Sequence, residues 1–161
     1  MDIDVKVSAI IEYQGKIALI REKLTKNHNY KWNVCGGGWE PSDGSFQNVV
    51  IREAREEAGL EVAVGELYRL VLVKLEVGHT LRVFFTAQAN SDSFRLAKPE
   101  QQAKLEEDIV ECRWFAKSEI AAWEDSEFVS STTAKVIKDY AQGKKFSPAE
   151  QAIYLDHQTR F

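Results

Sequence analysis

Apolar and polar side chains fall into two rhythms along the chain. Over residues 5–12 the run VKVSAIIE is rich in β-branched and apolar types and predicts a strand, and Gln14-Gly15 offers a tight turn into a second strand, KIALIRE, so a hairpin is expected. The polar stretch 23–31 reads as a loop, and Trp32-Asn-Val-Cys35 as a short strand that runs straight into Gly36, Gly37 and Gly38. The rhythm then lengthens. Residues 46–58 hold good helix formers, with Ser45 or Asp43 available as a cap and Gly59 placed to end the helix. Val50, Ile51, Ala54 and Ala58 form an apolar stripe at helical spacing, suited to docking on a sheet. Two strand-like runs follow within 67–76 and 80–89. The polar segment 91–107 predicts a long loop or irregular insert over an active face, and 109–115 predicts another strand. Helices are expected near 118–123 and over 131–141, followed by a weakly patterned tail. Hairpins mixed with dispersed helices, without internal repeats, predict an α/β sandwich.

At 161 residues the chain fits one domain, spanning 1–161, with a single substantial core. The formal charge of −4 argues against a surface that coats long nucleic acid, because phosphate backbones are bound by clustered Lys and Arg. The same acidity repels a small phosphorylated substrate unless cations sit between carboxylate and phosphate, which turns attention to a metal. Cys35 and Cys112 lie far apart without a CxxC pattern, so they read as reduced, buried thiols. The start of the chain has no basic stretch followed by an apolar segment, and no long apolar run follows. A cytoplasmic location with no membrane partner is the expectation.

The most informative stretch is Arg52-Glu53-Ala54-Arg55-Glu56-Glu57-Ala58-Gly59-Leu60, just downstream of the glycine run. In a helix Glu53 has Glu56 and Glu57 as its i+3 and i+4 neighbours, with Cβ atoms about 5–6 Å apart. Like charges so placed weaken a helix by roughly 0.2–0.5 kcal/mol per pair, and a divalent cation offsets that repulsion. Hard oxygen ligands suit Mg²⁺, which keeps several waters and is shared between carboxylates and a substrate's phosphates. Charged helical strings of this kind are usually solvated faces, here partly neutralised by Arg52 and Arg55. The preceding glycines set this one apart.

With those residues in view, the chain resembles the Nudix hydrolases, a MutT-like family. Their box reads Gly, five residues, Glu, seven residues, Arg-Glu, an apolar residue, any, Glu-Glu, any, Gly, apolar. Gly38 begins the box, which extends over about 38–60, and Arg52, Glu53, Ala54, Glu56, Glu57, Gly59 and Leu60 fall where it requires them. One position departs from it. The first glutamate is replaced by Gly44, with Asp43 beside it, so either the acid has moved back one place or its interaction is lost.

The resemblance implies an α/β/α sandwich around a mixed sheet and Mg-dependent hydrolysis of a phosphoanhydride bond in a nucleotide-like substrate, with Mn²⁺ as a possible substitute. Glu53, Glu56 and Glu57 become the implied metal ligands, with a backbone carbonyl of the glycine run, at Gly37, as another. Arg52 is implied to orient a glutamate. Glu53 and Glu107 are the two candidates for general base. Tyr30, Trp32 and Trp39 lie near the glycine run and offer faces for a nucleobase, Tyr30 and Trp39 more than Trp32, whose alternative is core packing. Lys26, Lys31 and Arg82 are candidates to meet phosphate, against a reading as solvated charge. His28, His79 and His157 receive no role. The segment from Arg113-Trp114-Phe115 through Val136 to Phe146, which takes in the C-terminal helix and the start of the tail (131–161), more loosely resembles the NudJ-type phosphatase branch, which acts on nucleoside tri- and diphosphates and on a thiamin-pyrimidine pyrophosphate. Two alternatives stay open: a catalytically silent Nudix-like nucleotide sensor, supported by Gly44, and an acidic interaction module. A homodimer is compatible with either.

Overall fold

A computed structural model describes residues 2–24, 29–105 and 108–161. Eight strands build the sheet: β1 (Ile3–Tyr13), β2 (Lys16–Lys23), β3 (Tyr30–Asn33), β4 (Cys35–Gly38), β5 (Val62–Lys74), β6 (His79–Ala89), β7 (Ile109–Ala116) and β8 (Ala152–Leu155). The path runs β3-β2-β1-β6-β5-β8, with β4 alongside β1 and β7 alongside β2. β1 pairs in parallel with β6 and antiparallel with β4, so the sheet is mixed. The hairpin between β1 and β2 is held by two register pairs only, Glu12 with Ile17 and Tyr13 with Lys16. Beyond them β2 leaves β1 and pairs with β3 and β7.

Strand alternation sorts the apolar side chains into two cores. Val7, Ala9 and Ile11 of β1 and Val83 and Phe85 of β6 join the core beneath α1 (Phe46–Glu53). Ile10 and Phe84 point the other way, into a core closed by Ile120 of α3 (Lys117–Ala122) and by Ala134, Val136 and Ile137 of α4 (Ser131–Ala141). Helices therefore cover both faces, which gives the α/β/α layering expected from the sequence. No helix among the described residues is long and apolar enough to cross a membrane.

Several expectations need correction. The three glycines do not lie beyond the end of a strand: they are the body of β4, paired with Lys6, Val7 and Ser8. Strand pairing begins at Tyr30, and the expected single strand 32–35 is split at Val34 into β3 and β4. Segment 91–107 contains a short helix, α2 (Pro99–Lys104), and the tail supplies β8, parallel to β5. The docking face of α1 is also rotated from the one expected. Val49 is fully buried with Val50, Ala54 and Ala58, whereas Ile51 is half-buried.

That rotation sets an expected outcome. Val49→Ala removes two buried methyl groups and should cost about 2 kcal/mol of unfolding free energy. Ile51→Ala should cost clearly less although it removes more atoms. Urea unfolding of the two variants checks the order, and a larger loss at Ile51 would contradict this docking.

Candidate active site

The helix that carries the carboxylates starts cleanly. Ser45 is its N-cap, its Oγ accepting the Asn48 N–H at 3.2 Å. After Glu53 the winding widens into a π turn over Ala54–Ala58, in which the Gly59 N–H reaches back to the Ala54 carbonyl. Such turns are rare and cluster at functional sites. More residues per turn keep Glu57 near the line below Glu53 while Glu56 swings aside. Glu53 and Glu57 are each 5% exposed, and the Glu56 side chain is 30% exposed.

The two buried glutamates meet β4. The Gly36 N–H donates to Glu57 Oε2 at 2.8 Å, and the Glu53 carboxylate lies where a side chain at Gly37 would be, with an added Cβ only 2.1 Å from Oε1. Gly37 is thus required by the approach of Glu53. Glu57 makes further interactions of its own.

Arg52 ties the remaining pieces together. Its Nε and Nη2 donate to the two oxygens of Asp43 at 2.8 and 3.0 Å, a bidentate pair. Nη1 donates to Glu53 Oε1 at 2.6 Å and Glu56 Oε2 at 3.4 Å, and Nη2 also reaches the Gly38 carbonyl at 3.0 Å. The acid missing at residue 44 is therefore supplied one place earlier. Asp43 also accepts the Glu40 N–H at 2.9 Å, which fixes the turn Pro41–Asp43. Gly44 sits at φ 72°, ψ −39°, a conformation that a glutamate would adopt only under strain.

Among the described residues, three acids, Asp43, Glu53 and Glu56, share one guanidinium. Arg55, the other expected neutraliser, is turned outward into a bidentate pair with Glu61 at 2.8 and 2.9 Å. Burial pushes the Glu53 carboxyl up, Arg52 pulls it back, and Glu56 and Asp43 add to the rise. Hydrogen bonds from Arg52 hold Asp43 below its ordinary value of 3.8. A hard divalent cation fits this donor set, since the donors are carboxylate oxygens at the edge of a glycine strand and three of the acids share one guanidinium. Arg52 occupies the space between Glu53 and Glu56, and among the described residues no three acidic, His or Cys side chains already converge on one point. Binding would therefore draw the carboxylates inward, with water completing the shell.

The other candidates fare unevenly. Trp39, at the end of β4, is 40% exposed, and Tyr30, at the start of β3, is 45% exposed with Arg21 stacked over its ring at 5.3 Å. Trp39 follows directly on the glycine strand, whereas Tyr30 pairs with Lys23 at the far end of β3. Trp32 is instead packed in the second core against Phe115 and Trp123. Arg82 is not a solvated charge: its guanidinium donates to Ser130 and Thr133, and burial pulls it down to about 10. Lys31 donates to the Ser126 carbonyl. Lys26, His28 and Glu107 lie outside the described residues. Burial pushes both thiols up, Cys112 to about 12, which keeps them protonated and inert. Cys112 Sγ lies 3.6 Å from the Glu57 carbonyl.

Comparison with known proteins identifies the family and the fold. A family model of the NUDIX domain matches residues 3–136. A CTP pyrophosphohydrolase of Escherichia coli (strain K12) is 43% identical over 60 residues, which is 37% of this chain and 44% of that relative's length. The match thus spans less than half of that protein. A NUDIX hydrolase from Nitrosomonas europaea superposes with a TM-score of 0.74 at 20% identity, covering 97% of this chain and 80% of the other. A second Nitrosomonas europaea NUDIX hydrolase gives 0.68 at 25% identity, with 92% and 95% covered.

Asp43→Ala should lower both turnover and melting temperature, whereas Gly44→Glu should cost about 1–3 kcal/mol in backbone strain rather than restore anything. The bond needs ionised Asp43, whose carboxyl is held low in the folded state. The melting gap between the native protein and Asp43→Asn should be full at neutral pH and close as the pH falls below the ordinary carboxylate range. Thermal melts across pH check both. A gap that persists in acid would show that Asp43 acts through shape alone.

Proposed function

We propose that this chain, which belongs to the Nudix family, is a Mg²⁺-dependent hydrolase that cleaves a phosphoanhydride bond in a small nucleotide-like substrate. The observation that carries this is the gathering of Glu53, Glu56 and Glu57 beside the glycine strand, with Glu53 and Glu56 sharing one guanidinium and Glu57 held by the Gly36 N–H. A nucleoside triphosphate is the first substrate to try, supported by the likeness to a CTP pyrophosphohydrolase over the stretch they share. Nucleoside diphosphates and a thiamin-pyrimidine pyrophosphate come next.

When bound, the cation supplies charge neutralisation at the diphosphate and a water of lowered pKa. The protein's own groups hold the geometry. Asp43 fixes Arg52, and Arg52 in turn holds Glu53 and Glu56 toward the site. The Gly36 N–H orients Glu57. Glu53, whose carboxyl is raised by burial, is suited to accept a proton from water closer to neutral pH than an ordinary carboxylate. Glu107 remains the alternative base. The exposed faces of Trp39 and Tyr30 offer stacking to a nucleobase. The pairing of Asp43 with Arg52 supports turnover over a silent sensor, because the residue that suggested silence, Gly44, has its missing acid replaced next door.

Turnover should rise from acid toward alkaline pH and disappear in excess EDTA. Glu57→Gln keeps the size of the side chain but removes the charge a hard cation needs, so activity should fall by at least ~100-fold with the fold retained. Steady-state hydrolysis together with melting with and without Mg²⁺ is the test. Near-native turnover with an unchanged Mg²⁺-induced melting shift would mean that the helix is only a solvated acidic face.

A further inference from the structure

A cavity of about 590 Å³ opens between the π-wound end of the carboxylate helix and segment 95–105, and Glu56 lies in its wall. Glu56 also edges a second recess, of about 390 Å³, on the side of Asp43 and Arg52. The carboxylate turn thus stands between two hollows, and a linear diphosphate crossing it places one end of the substrate in each.

The two hollows differ in their free charge. On the Asp43 side, Arg52 and Arg55 are both committed to carboxylates. In the larger cavity Arg95 and Lys104 have no ion-pair partner among the described residues, and they stand over the part-exposed Leu96 and Leu105. This wall is built into the fold. The Arg95 N–H donates to the Ala58 carbonyl at 2.8 Å, which anchors its backbone on the end of the catalytic helix. The Gln102 side chain donates to the Ala97 carbonyl at 3.0 Å and accepts the Ile109 N–H at 2.8 Å, clamping α2, and Lys104 at its end, onto β7. Two cations whose backbones are held in place, and which have no ion-pair partner among the described residues, line a cavity that also reaches Glu56 and suit an anionic group extending past the carboxylate turn.

We propose that Arg95 and Lys104 form an anion subsite that holds a further phosphate of the substrate, one lying beyond the two phosphates joined by the bond that is cleaved. The inference rests on the hydrolase function proposed above and deepens it. It assigns preference to substrates whose departing half carries that further phosphate, such as a nucleoside triphosphate that releases pyrophosphate, over those whose departing half is a sugar monophosphate.

The test uses the full chain and the double variant Arg95→Gln/Lys104→Gln, whose melting temperature should match the native one because neither side chain makes a hydrogen bond within the described fold. With Mg²⁺ present, KM for a nucleoside triphosphate should rise about tenfold or more while kcat stays within about twofold. KM for a nucleoside diphosphate linked to a neutral sugar should not change. Calorimetric titration with inorganic pyrophosphate and Mg²⁺ gives a readout independent of turnover, and the variant should bind about tenfold more weakly. Equal pyrophosphate affinity in both proteins, no pyrophosphate binding by the native protein, or equal KM losses on both substrates would overturn the subsite. If the native protein hydrolysed neither nucleotide, the hydrolase function would fail, and the pyrophosphate titration would still decide the subsite.

Discussion

Arg52 carries a planar fork of five N–H donors, and here nearly all of the fork is used. One edge is clamped by Asp43, another point reaches the Gly38 carbonyl, and the remaining nitrogen is shared by Glu53 and Glu56. A lysine, with a compact point charge, would not span these partners at once. The glycine strand, the turn at Pro41–Asp43 and the carboxylate turn are thereby joined through one side chain that is itself only partly exposed. Because the guanidinium is divided among three acids, none of them is fully neutralised. The arrangement positions the glutamates while leaving them attractive to a cation.

The rest of the site follows from bringing that helix hard against β4. Glu53 and Glu57 are buried at adjacent glycines, one where a Cβ would otherwise stand and one on a backbone N–H. Glu56, turned aside by the wider winding, keeps contact with solvent and with both hollows. Three glutamates within five residues thus have two different environments. Burial raises the Glu53 carboxyl, chiefly by desolvation, against the pull of Arg52.

Much of this was legible in the residues themselves. The alternation in residues 5–12 and 16–22, the helix 131–141 and the spacing of Arg52, Glu53, Glu56 and Glu57 all carry strong local signals, because one face of each element must be apolar or one turn must hold like charges. Other features carry no such signal. Gly36, Gly37 and Gly38 fall outside the strand expected over 32–35 because glycine has low strand preference, yet close approach of Glu53 and pairing with β1 select glycine there. The buried side of α1 shifted from Ile51 to Val49, a choice of neighbouring residues that tertiary packing makes and periodicity alone does not. The π turn depends on a backbone bond between Gly59 and Ala54 that no spacing of side chains announces. β8 is four residues long and half-exposed, so its partner strand, rather than its own pattern, defines it. At Asp43 the chain offered both outcomes, a displaced acid or a lost contact, and only the reach of Arg52 distinguishes them.

β1 lies at the middle of the sheet, yet apart from its two-pair hairpin with β2 its neighbours come later in the chain: β4 at Cys35–Gly38 and β6 at His79–Ala89. β1 must wait for the parallel partner on its other side, β6, which lies about seventy residues further along. Until then the apolar run Ala9-Ile10-Ile11 has one edge unsatisfied, and closing so long a loop is slow. The carboxylate helix lies within that loop, between β4 and β5, and its docking surface includes Val83 and Phe85 of β6. Completion of the helix's seat is thereby tied to closure of the sheet, so a chain in which β6 is not yet in place exposes strand edges and leaves the carboxylate turn without its seat.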